Sequence, residues 1–405
     1  MSYFSNDEFK INYPLIQGFM RKPLKICHII TRMIVGGAQE NTLLSVIGLV
    51  QKGHDVALLT GPSPGPEGEL LKKKNITDLN TAVISSLVRE LNPVNDLKAY
   101  FAIKKYLENG KFDVVHTHSS KAGVIGRLAA KSANVPFIVH TVHGQAFHRY
   151  EKSWKNCIYR ISERIAARKC DKIYAVCQAM IDQCVAAKIA PLQKYKVVYS
   201  GMELEPFLNS VPDCGIRRKF GIPEDVPVVG AVARLFPLKG YEYFLPAAIR
   251  IAKEIPKVFF LIVGDGTMME EMKRKASENG LNFIFAGLVP PDEIYRYCSV
   301  MDILLHLSLR EGLPRAVVQA LASGKPAIGF DLDGTPEVII HGKTGFIARP
   351  ENVEETAGYA VNLLNDKEMR IRMGEEGRRF VKEKFDWKMM ADILEEEYFK
   401  GLNLL

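Results

Sequence analysis

The sequence predicts an α/β protein built from two doubly wound parallel sheets, and three observations lead to that fold class. Short apolar runs alternate with amphipathic runs from Leu24 onward, as expected of strands joined by helices. The alternation restarts after a connection rich in Pro and Gly, Ser200 to Gly215. A chain of 405 residues is also too long for one compact core and suits two domains of roughly 200 residues.

The predicted strands are the short apolar runs, with helices between most of them. In the first half these runs are LKICHII, DVALLTG, FDVVHTH, PFIVHTVH, KIYAVC and KYKVVYSG. In the second half they are VPVVGAVA, VFFLIVG, NFIFAG, DILLHLS and PAIGF. The segment Ala38 to Gln51, which Gly53 closes, is typical of the intervening helices.

The chain is predicted to divide into four parts. Residues 1–23 are an N-terminal extension, 24–203 and 204–384 are the two domains, and 385–405 are a C-terminal helix. The last segment contains DWKMMADILEEEYFKGL, which has a helical period. We expect that helix to cross back and pack on the first domain.

The composition indicates a soluble globular protein of the cytoplasm. Hydrophobic residues make up 47% of the chain, and no apolar run approaches the ~20 residues of a membrane span. The opening MSYFSNDEFKINYPLIQGFMRK lacks the continuous apolar core of a secretory signal. The seven cysteines include no Cys-x-x-Cys pair, which favours reduced thiols over a disulfide framework or a zinc site.

Positive charge is concentrated in the first half of the chain. Residues 1–200 contain 28 Lys and Arg against 15 Asp and Glu, whereas residues 201–405 contain 26 against 31. This asymmetry predicts that the first half meets an anionic partner, either phospholipid headgroups, a lipid diphosphate or nucleic acid. A solvated basic surface with no partner is the alternative.

Glu311 lies in the most informative segment, SLREGLPRAVVQALASGKPAIGF. It follows the predicted strand Asp302 to Ser308 and precedes a helix that begins near Gly312 and Pro314. Ligands bind beyond the carboxyl ends of strands in open α/β sheets, and a helix N-terminus there suits an anion or a hydroxylated ligand. An ordinary loop with a solvated carboxylate is the alternative.

Two other strand ends carry residues that suit a diphosphate. Arg234 and Lys239 follow the first strand of the second half, where Arg offers a planar fork and Lys a point charge. Gly36 and Gly37 follow the first strand of the chain and let the backbone approach a ligand before a helix begins. A surface pair of basic residues is the alternative for the cations, and a glycine pair falls short of the dinucleotide-binding fingerprint.

Arg234, Lys239 and Glu311 resemble the family 4 retaining glycosyltransferases when they are taken with VGDG (263–266), FAGLV (285–289) and DGTPEVIIHGKTGFI (333–347). The resemblance covers nearly the whole chain from Leu24. It implies the GT-B fold, in which two Rossmann-like domains face a cleft. The first domain then takes the acceptor, and the second binds the nucleotide-sugar donor.

The resemblance also implies roles for individual residues. The family binds the donor sugar and the ribose with two acidic residues separated by seven others, and these positions hold Glu311 and Gln319. Gln keeps an acceptor oxygen but no charge, so ribose binding is expected to survive in weaker form. The implied donor-binding residues are Gly36, Gly37, Arg234, Lys239, Gly264, Leu288, Glu311, Gly312, Leu313 and Gln319. The implied catalytic residues are Arg234, Lys239, Glu311 and His118.

Histidines cluster at two predicted strand ends of the first half. HTHSSKAGVIGRLAA resembles the family segment whose second histidine reaches the donor sugar, which implies that role for His118. His140 and His143 follow at the next strand, nearer the expected acceptor. A lone strand-end histidine is commonly structural, and His116 with His118 on one strand face is a conceivable metal pair.

Two short motifs imitate other enzymes. GFDLDGTPEV matches the Asp-x-Asp-Gly-Thr signature of HAD phosphohydrolases, but only 74 residues follow Asp331, too few for that fold. Asp331 and Asp333 also imitate the metal-binding pair of GT-A glycosyltransferases. A GT-A enzyme has one nucleotide domain, whereas this chain predicts two similar sheets.

The predicted function is retaining transfer of a sugar from a nucleotide diphosphate, most simply UDP, to a hydroxyl acceptor such as a lipid-linked saccharide in surface polysaccharide synthesis. By resemblance the leaving phosphate takes the proton, and no metal, cofactor or nucleic acid is predicted. A GT-B nucleotide-sugar 2-epimerase and a catalytically idle GT-B subunit are the alternatives.

Peripheral contact with an anionic membrane is a further expectation. Lys72, Lys73 and Lys74 are basic, as are Arg164, Arg168 and Lys169 near the amphipathic stretch SWKNCIYRISERIAARK. Its apolar stripe consists of Trp154, Ile158, Ile161 and Ile165. Such a stripe indicates either a core-facing helix or a helix that lies on the inner face of a membrane.

Overall fold

Two parallel sheets organise the chain in a computed structural model, which describes residues 22–63, 70 and 79–404. The first sheet has seven strands in the order β3-β2-β1-β4-β5-β6-β7. Its strands are β1 (Lys25–Ile30), β2 (Asp55–Thr60), β3 (Asn80–Val83), β4 (Val114–His118), β5 (Phe137–Val142), β6 (Lys172–Ala175) and β7 (Tyr195–Val197). The predicted extension (residues 1–21 of it) and Lys72 to Lys74 lie outside the described residues.

The helices of the first domain lie on both faces of this sheet. They are α1 (Gly37–Gln51), α2 (Pro93–Gly110), α3 (Ser120–Ser132), α4 (Ser153–Ala167) and α5 (Gln178–Ala186). Helix α3 packs between α2 and α4, so these three form one layer. Asn92 caps α2 by accepting hydrogen bonds from the backbone N–H groups of Val94 and Asn95.

The second sheet has six parallel strands in the order β10-β9-β8-β11-β12-β13. They are β8 (Val228–Val232), β9 (Phe259–Val263), β10 (Asn282–Gly287), β11 (Ile303–His306), β12 (Ala327–Phe330) and β13 (Gly345–Ala348). The helices are α6 (Glu205–Leu208), α7 (Cys214–Lys219), α8 (Tyr241–Glu254), α9 (Met269–Glu278), α10 (Ile294–Ser299), α11 (Arg315–Ala322), α12 (Val353–Asn365) and α13 (Lys367–Lys384).

The chain passes between the two domains twice, at neighbouring points. Met202 forms a β-bridge with Asp386, close to the predicted boundaries at 203/204 and 384/385. Helix α14 (Trp387–Gly401) then packs on α1 of the first domain. Gly48 permits this close packing, because a Cβ there would lie 2.5 Å from the Cβ of Ala391. The predicted return of the C-terminal helix is confirmed.

The strand order indicates at which point of each sheet a ligand is expected to bind. In both sheets the order reverses beside the first strand, between β1 and β4 and between β8 and β11. Ligands of doubly wound sheets bind outside the carboxyl ends of the strands at such a reversal. The predicted fold class, two doubly wound parallel sheets facing a cleft, is therefore confirmed. Within the described residues, no helix combines the length and apolar content needed to cross a membrane.

Candidate active site

A cleft of about 1350 Å³ lies between the two domains and is lined by both of them. Nine of the eleven predicted site residues line it, so they surround one common cavity in which a single ligand can contact several of them. They are Gly36, Gly37, Arg234, Lys239, Leu288, Glu311, Gly312, Leu313 and Gln319. Gly264 and His118 do not line the cleft.

Glu311 and Lys239 form an ion pair at the centre of the second-domain wall. Oε1 of Glu311 lies 2.6 Å from Nζ of Lys239 and 3.7 Å from Nε2 of His306. Burial raises the pKa of the Glu311 carboxyl, but the combined effect of Lys239, His306 and Ser308 outweighs burial, so the pKa lies below its usual range. Burial also lowers the pKa of His306 to about 4. At neutral pH the pair is therefore an ionised carboxylate beside a cation.

The loop that carries Lys239 has an unusual backbone. Leu238 has φ 71° and Gly240 has φ 83°. A Cβ at Gly240 would lie 1.9 Å from the carbonyl oxygen of Leu307, so only glycine fits there. The Leu238 carbonyl accepts hydrogen bonds from the backbone of Leu309 and from Oγ of Ser308. These hydrogen bonds from the segment that follows β11 fix the loop, so that the Lys239 side chain lies beside Glu311.

Arg234 and Gly264 sit side by side at the neighbouring strand ends. The Arg234 guanidinium lies 5.5 Å from the ring centre of Phe236 and faces the cleft. Gly264 has φ 143°, and a Cβ there would lie 2.0 Å from the carbonyl oxygen of Ala233. Gly264 is therefore explained by the tight approach of two strand ends. Its predicted donor contact stays a prediction.

The Gly36 and Gly37 turn forms the opposing wall at the start of α1. A Cβ at Gly37 would lie 2.8 Å from Cδ of Arg315, which reaches over from α11 of the second domain. The Arg315 guanidinium pairs with Glu40 at 2.8 Å. Glycine at this turn thus admits a side chain of the other domain as well as any ligand.

A chain of histidines leads from the first-domain core to the cleft. Nδ1 of His28 lies 2.9 Å from Nε2 of His118, and Nδ1 of His118 lies 3.0 Å from Nε2 of His143. His118 is fully buried, whereas His143 lines the cleft. Burial lowers the pKa of His28 and of His143 to about 3, so the chain is neutral at pH 7. The sugar contact predicted for His118 stays a prediction, and His143 separates that ring from the cleft.

Two family models match the chain in succession. The model described as Glycosyltransferase Family 4 matches residues 35–206, and the model described as Glycosyl transferases group 1 matches residues 215–380. The chain belongs to the family 4 glycosyltransferases. The predicted family is thereby confirmed, and the described cleft lies between the two matched regions.

One relative by sequence and two solved structures are consistent with this family and its fold. The UDP-Gal:alpha-D-GlcNAc-diphosphoundecaprenol alpha-1,3-galactosyltransferase of Escherichia coli is 28% identical over 352 residues, which cover 86% of this chain and 90% of that protein. A crystal structure of Anabaena Alr3699/HepE in complex with UDP has a TM-score of 0.78 at 21% identity and covers 92% of this chain and 99% of that one. Sucrose-phosphate synthase from Thermosynechococcus elongatus has a TM-score of 0.78 at 19% identity, with 95% and 100% covered. These structures confirm the GT-B fold.

The histidines of this glycosyltransferase also bear on the metal alternative. His28, His116 and His118 offer nitrogens within 4.8 Å of one another. His116 already uses both ring nitrogens, with the hydroxyl oxygens of Tyr398 at 2.5 Å and Thr141 at 2.6 Å. The ring centroids lie 4.2 to 5.1 Å apart, with His28 and His118 stacked and His116 tilted against both. The arrangement is that of a hydrogen-bonded core.

Asp333, the second aspartate of the GFDLDGTPEV motif, has a structural role in this glycosyltransferase. Oδ2 of Asp333 accepts a hydrogen bond from the backbone N–H of Glu311 at 2.7 Å. Its Oδ1 accepts one from Gln183 of the first domain, also at 2.7 Å. Asp333 therefore positions the loop that carries Glu311. That role accounts for the motif without HAD or GT-A chemistry.

Arg310 and Arg315 also line the cleft of this glycosyltransferase, and the sequence did not lead us to predict either of them as a site residue. Arg310 donates a hydrogen bond to the Gln145 carbonyl, and Arg315 pairs with Glu40, so both connect the two domains. Their positions immediately around Glu311 and Gly312 in REGLPR were the available signal.

Proposed function

We propose that this glycosyltransferase moves a sugar from a UDP-linked donor to a hydroxyl group, with retention of the anomeric configuration. One observation carries the proposal. Lys239 and Glu311, 2.6 Å apart at the ends of β8 and β11, face Gly36 and Gly37 across the cleft. A cation beside a carboxylate suits a nucleotide sugar, because its diphosphate is anionic and its sugar presents hydroxyl donors.

In the proposed reaction, the bond between the anomeric carbon and the diphosphate oxygen breaks. The acceptor oxygen bonds to the same face of that carbon, and its proton passes to the leaving phosphate, which gives UDP and the glycoside. Lys239 and Arg234 offset the charge that develops on the diphosphate, and the N–H groups of Gly36 and Gly37 assist from across the cleft. No side chain is assigned as the base.

We place the donor sugar between Glu311 and His143. The Glu311 carboxylate accepts hydrogen bonds from sugar hydroxyls once Lys239 turns to the diphosphate. The His143 ring is held by its 3.0 Å hydrogen bond to His118, so it meets the sugar in a fixed orientation. In this assignment His118 is a positioning residue that acts through His143.

We further propose a lipid-linked saccharide acceptor, used on the cytoplasmic side in surface polysaccharide synthesis. The Escherichia coli relative, named for a diphosphoundecaprenol-linked GlcNAc acceptor, supports this acceptor class. The cleft volume of about 1350 Å³ exceeds the ~300–1,000 Å³ of a single small-molecule site, which leaves room for two substrates. Arg32 and Arg89 line its first-domain wall, where a lipid diphosphate would meet positive charge.

A panel of nucleotide sugars tests the donor assignment. A ligand present at about 100 times its dissociation constant adds roughly 2.7 kcal/mol to the free energy of unfolding, so the preferred donor raises the melting temperature most. We expect UDP and UDP-sugars to do so. If no nucleotide sugar has an effect, the chain is a catalytically idle subunit. Release of UDP with an epimerised free sugar, without any acceptor, would assign the 2-epimerase activity.

Turnover is expected to persist in excess EDTA, because Lys239 and Arg234 provide the charge stabilisation that a metal ion supplies in other transferases. UDP release is the measurement, made with and without chelator. Activity that vanishes with EDTA and returns with manganese or magnesium would contradict this proposal. That result would make Asp331 and Asp333 the candidate metal ligands.

Replacing Gln319 by alanine is expected to weaken UDP binding several-fold with a milder loss of turnover, because Gln319 is assigned to the ribose. Gln319→Glu restores the carboxylate of the general family pattern and is expected to bind UDP at least as tightly as the wild type. Titration calorimetry with UDP checks both. Unchanged UDP affinity in Gln319→Ala would remove the ribose assignment.

A further inference from the structure

Helix α4 presents an apolar stripe that no element among residues 22–63 and 79–404 covers. Trp154, Ile158, Ile161 and Ile165 are between 45% and 60% exposed, although they share one helical face. Only Ala166 and Ala167 of this helix are buried. A surface helix ordinarily turns its apolar face to the core, so this stripe requires another explanation.

A second stripe lies in the same helical layer. Leu91, just before α2, and Val94, Leu97 and Phe101 on α2 are between 57% and 70% exposed. Because α3 packs against both α2 and α4, the two stripes belong to one side of the first domain. We call the two stripes together the α2/α4 face.

Positive charges flank the stripe on α4. Arg168 and Lys169, directly after α4, make no ion pair with any carboxylate in the part of the chain that the structure describes, whereas the Arg160 guanidinium lies over the ring of the buried Phe147. The sole acidic residue of α4, Glu163, points inward to the buried guanidinium of Arg127 at 2.6 Å. The outer side of α4 is thus apolar along its length and cationic at its C-terminal end, a pattern that complements anionic headgroups over an acyl layer.

The α2/α4 face is continuous with the cleft. Ile158 of the α4 stripe and Leu91 of the α2 stripe both line the cleft, with Arg89 beside them. An acceptor whose sugar lies in the cleft would therefore pass its diphosphate near Arg89 and its lipid chain over apolar side chains to the outer surface. This continuity favours a lipid surface over a protein partner.

We propose that the α2/α4 face docks this protein on an anionic bilayer. Helix α4 lies in the interface plane, with its stripe at the acyl boundary and its cations among the headgroups. Docking then places the mouth of the cleft at the membrane, where a lipid-linked acceptor enters past Ile158 and Leu91. The lipid path rests on the proposed function, whereas the docking does not.

The decisive variant is Trp154→Ser with Ile161→Ser and Ile165→Ser, three exposed stripe residues outside the cleft lining. Val211→Ser with Ile371→Ser and Met389→Ser removes three exposed apolar side chains elsewhere and is the matched control. In flotation with phosphatidylglycerol-containing vesicles, we expect the stripe variant to lose on the order of a hundredfold in partitioning and the control to match the wild type. Wild-type binding is expected to weaken with salt and to be low on phosphatidylcholine.

Several outcomes would overturn the docking proposal. These are equal binding of the stripe variant and the wild type, equal binding to both lipids, and no flotation at all. Self-association of the wild type without vesicles that the serine substitutions abolish would make the α2/α4 face a dimer interface instead. UDP affinity is measured on the same samples. Flotation without UDP binding would contradict the proposed function but not the docking. UDP binding without flotation would contradict the docking but not the proposed function.

Discussion

Glu311→Ala is expected to lower turnover by on the order of a hundredfold or more, the scale of losing a positioned polar contact in a transition state. UDP affinity is expected to stay nearly unchanged, because Glu311 is assigned to the sugar and not to the nucleotide. In the free protein the carboxylate pairs with Lys239, so its removal leaves that cation available to the diphosphate. The loss therefore falls on the chemical step.

Two companion variants sharpen this result. Glu311→Gln keeps the side-chain volume and an acceptor oxygen but not the charge, so its turnover is expected between those of Glu311→Ala and the wild type. Glu224→Ala removes an exposed carboxylate away from the cleft and is expected to be fully active. Steady-state UDP release and calorimetric UDP binding are the measurements. A fully active Glu311→Ala, or a folded Glu311→Ala that no longer binds UDP, would refute the central assignment.

Lys239→Met is expected to weaken UDP binding and turnover together, because Lys239 meets the diphosphate before the reaction and more strongly as its charge grows. It is also expected to lower the free energy of unfolding by about 2 kcal/mol, since Glu311 keeps a largely buried charge without its partner. Lys257→Met, at an exposed lysine just before β9, is the matched control and is expected to change neither property.

The stability loss in Lys239→Met is expected to depend on pH. In the wild type the pKa of Glu311 lies below its unfolded value, so the ionised carboxylate stabilises the fold above that value and this is lost as pH falls. Without Lys239, burial raises the pKa of Glu311, and the charge destabilises the fold at neutral pH. The deficit should therefore shrink towards acidic pH, where the carboxyl is protonated.

A double variant separates the two roles of the ion pair. Lys239→Met with Glu311→Gln removes both charges, so its stability at neutral pH is expected to exceed that of Lys239→Met, while its activity stays low. Chemical denaturation at neutral and acidic pH is the measurement. A deficit in Lys239→Met that is unchanged by pH and by the second substitution would show that the loss comes from packing and not from charge.

The contacts between the domains indicate how the free cleft is organised. Arg315 pairs with Glu40, and Glu337 accepts hydrogen bonds from the backbone N–H groups of Gln178 and Ala179 at the start of α5. The Gly312 position is so close to the first domain that a Cβ there would lie 2.1 Å from the His143 carbonyl oxygen. The residues assigned to donor sugar and diphosphate are thus held near one another before any ligand binds, which lowers the ordering cost of binding.

Apolar periodicity predicted the central strands correctly, while β3 (Asn80–Val83) and β13 (Gly345–Ala348) were missed. Both are four-residue strands at an edge of their sheet, where only one side is paired. NTAV and GFIA are four residues each and therefore too short to show a period. Their pairing depends on the neighbouring strands β2 and β12 and not on local preference.

Local sequence was sufficient to predict the two-sheet fold. It also singled out Lys239 and Glu311 as candidates, because ligands bind at strand ends in such folds, and their roles stay a prediction. Three-dimensional packing decided the rest. It buried His118 behind His143, brought Arg315 from α11 to Glu40 on α1, and left the apolar side of α4 facing solvent. The physical reason is that helix and strand periods report which residues share a face of one element, whereas the surface that each face meets depends on contacts between residues far apart in the chain.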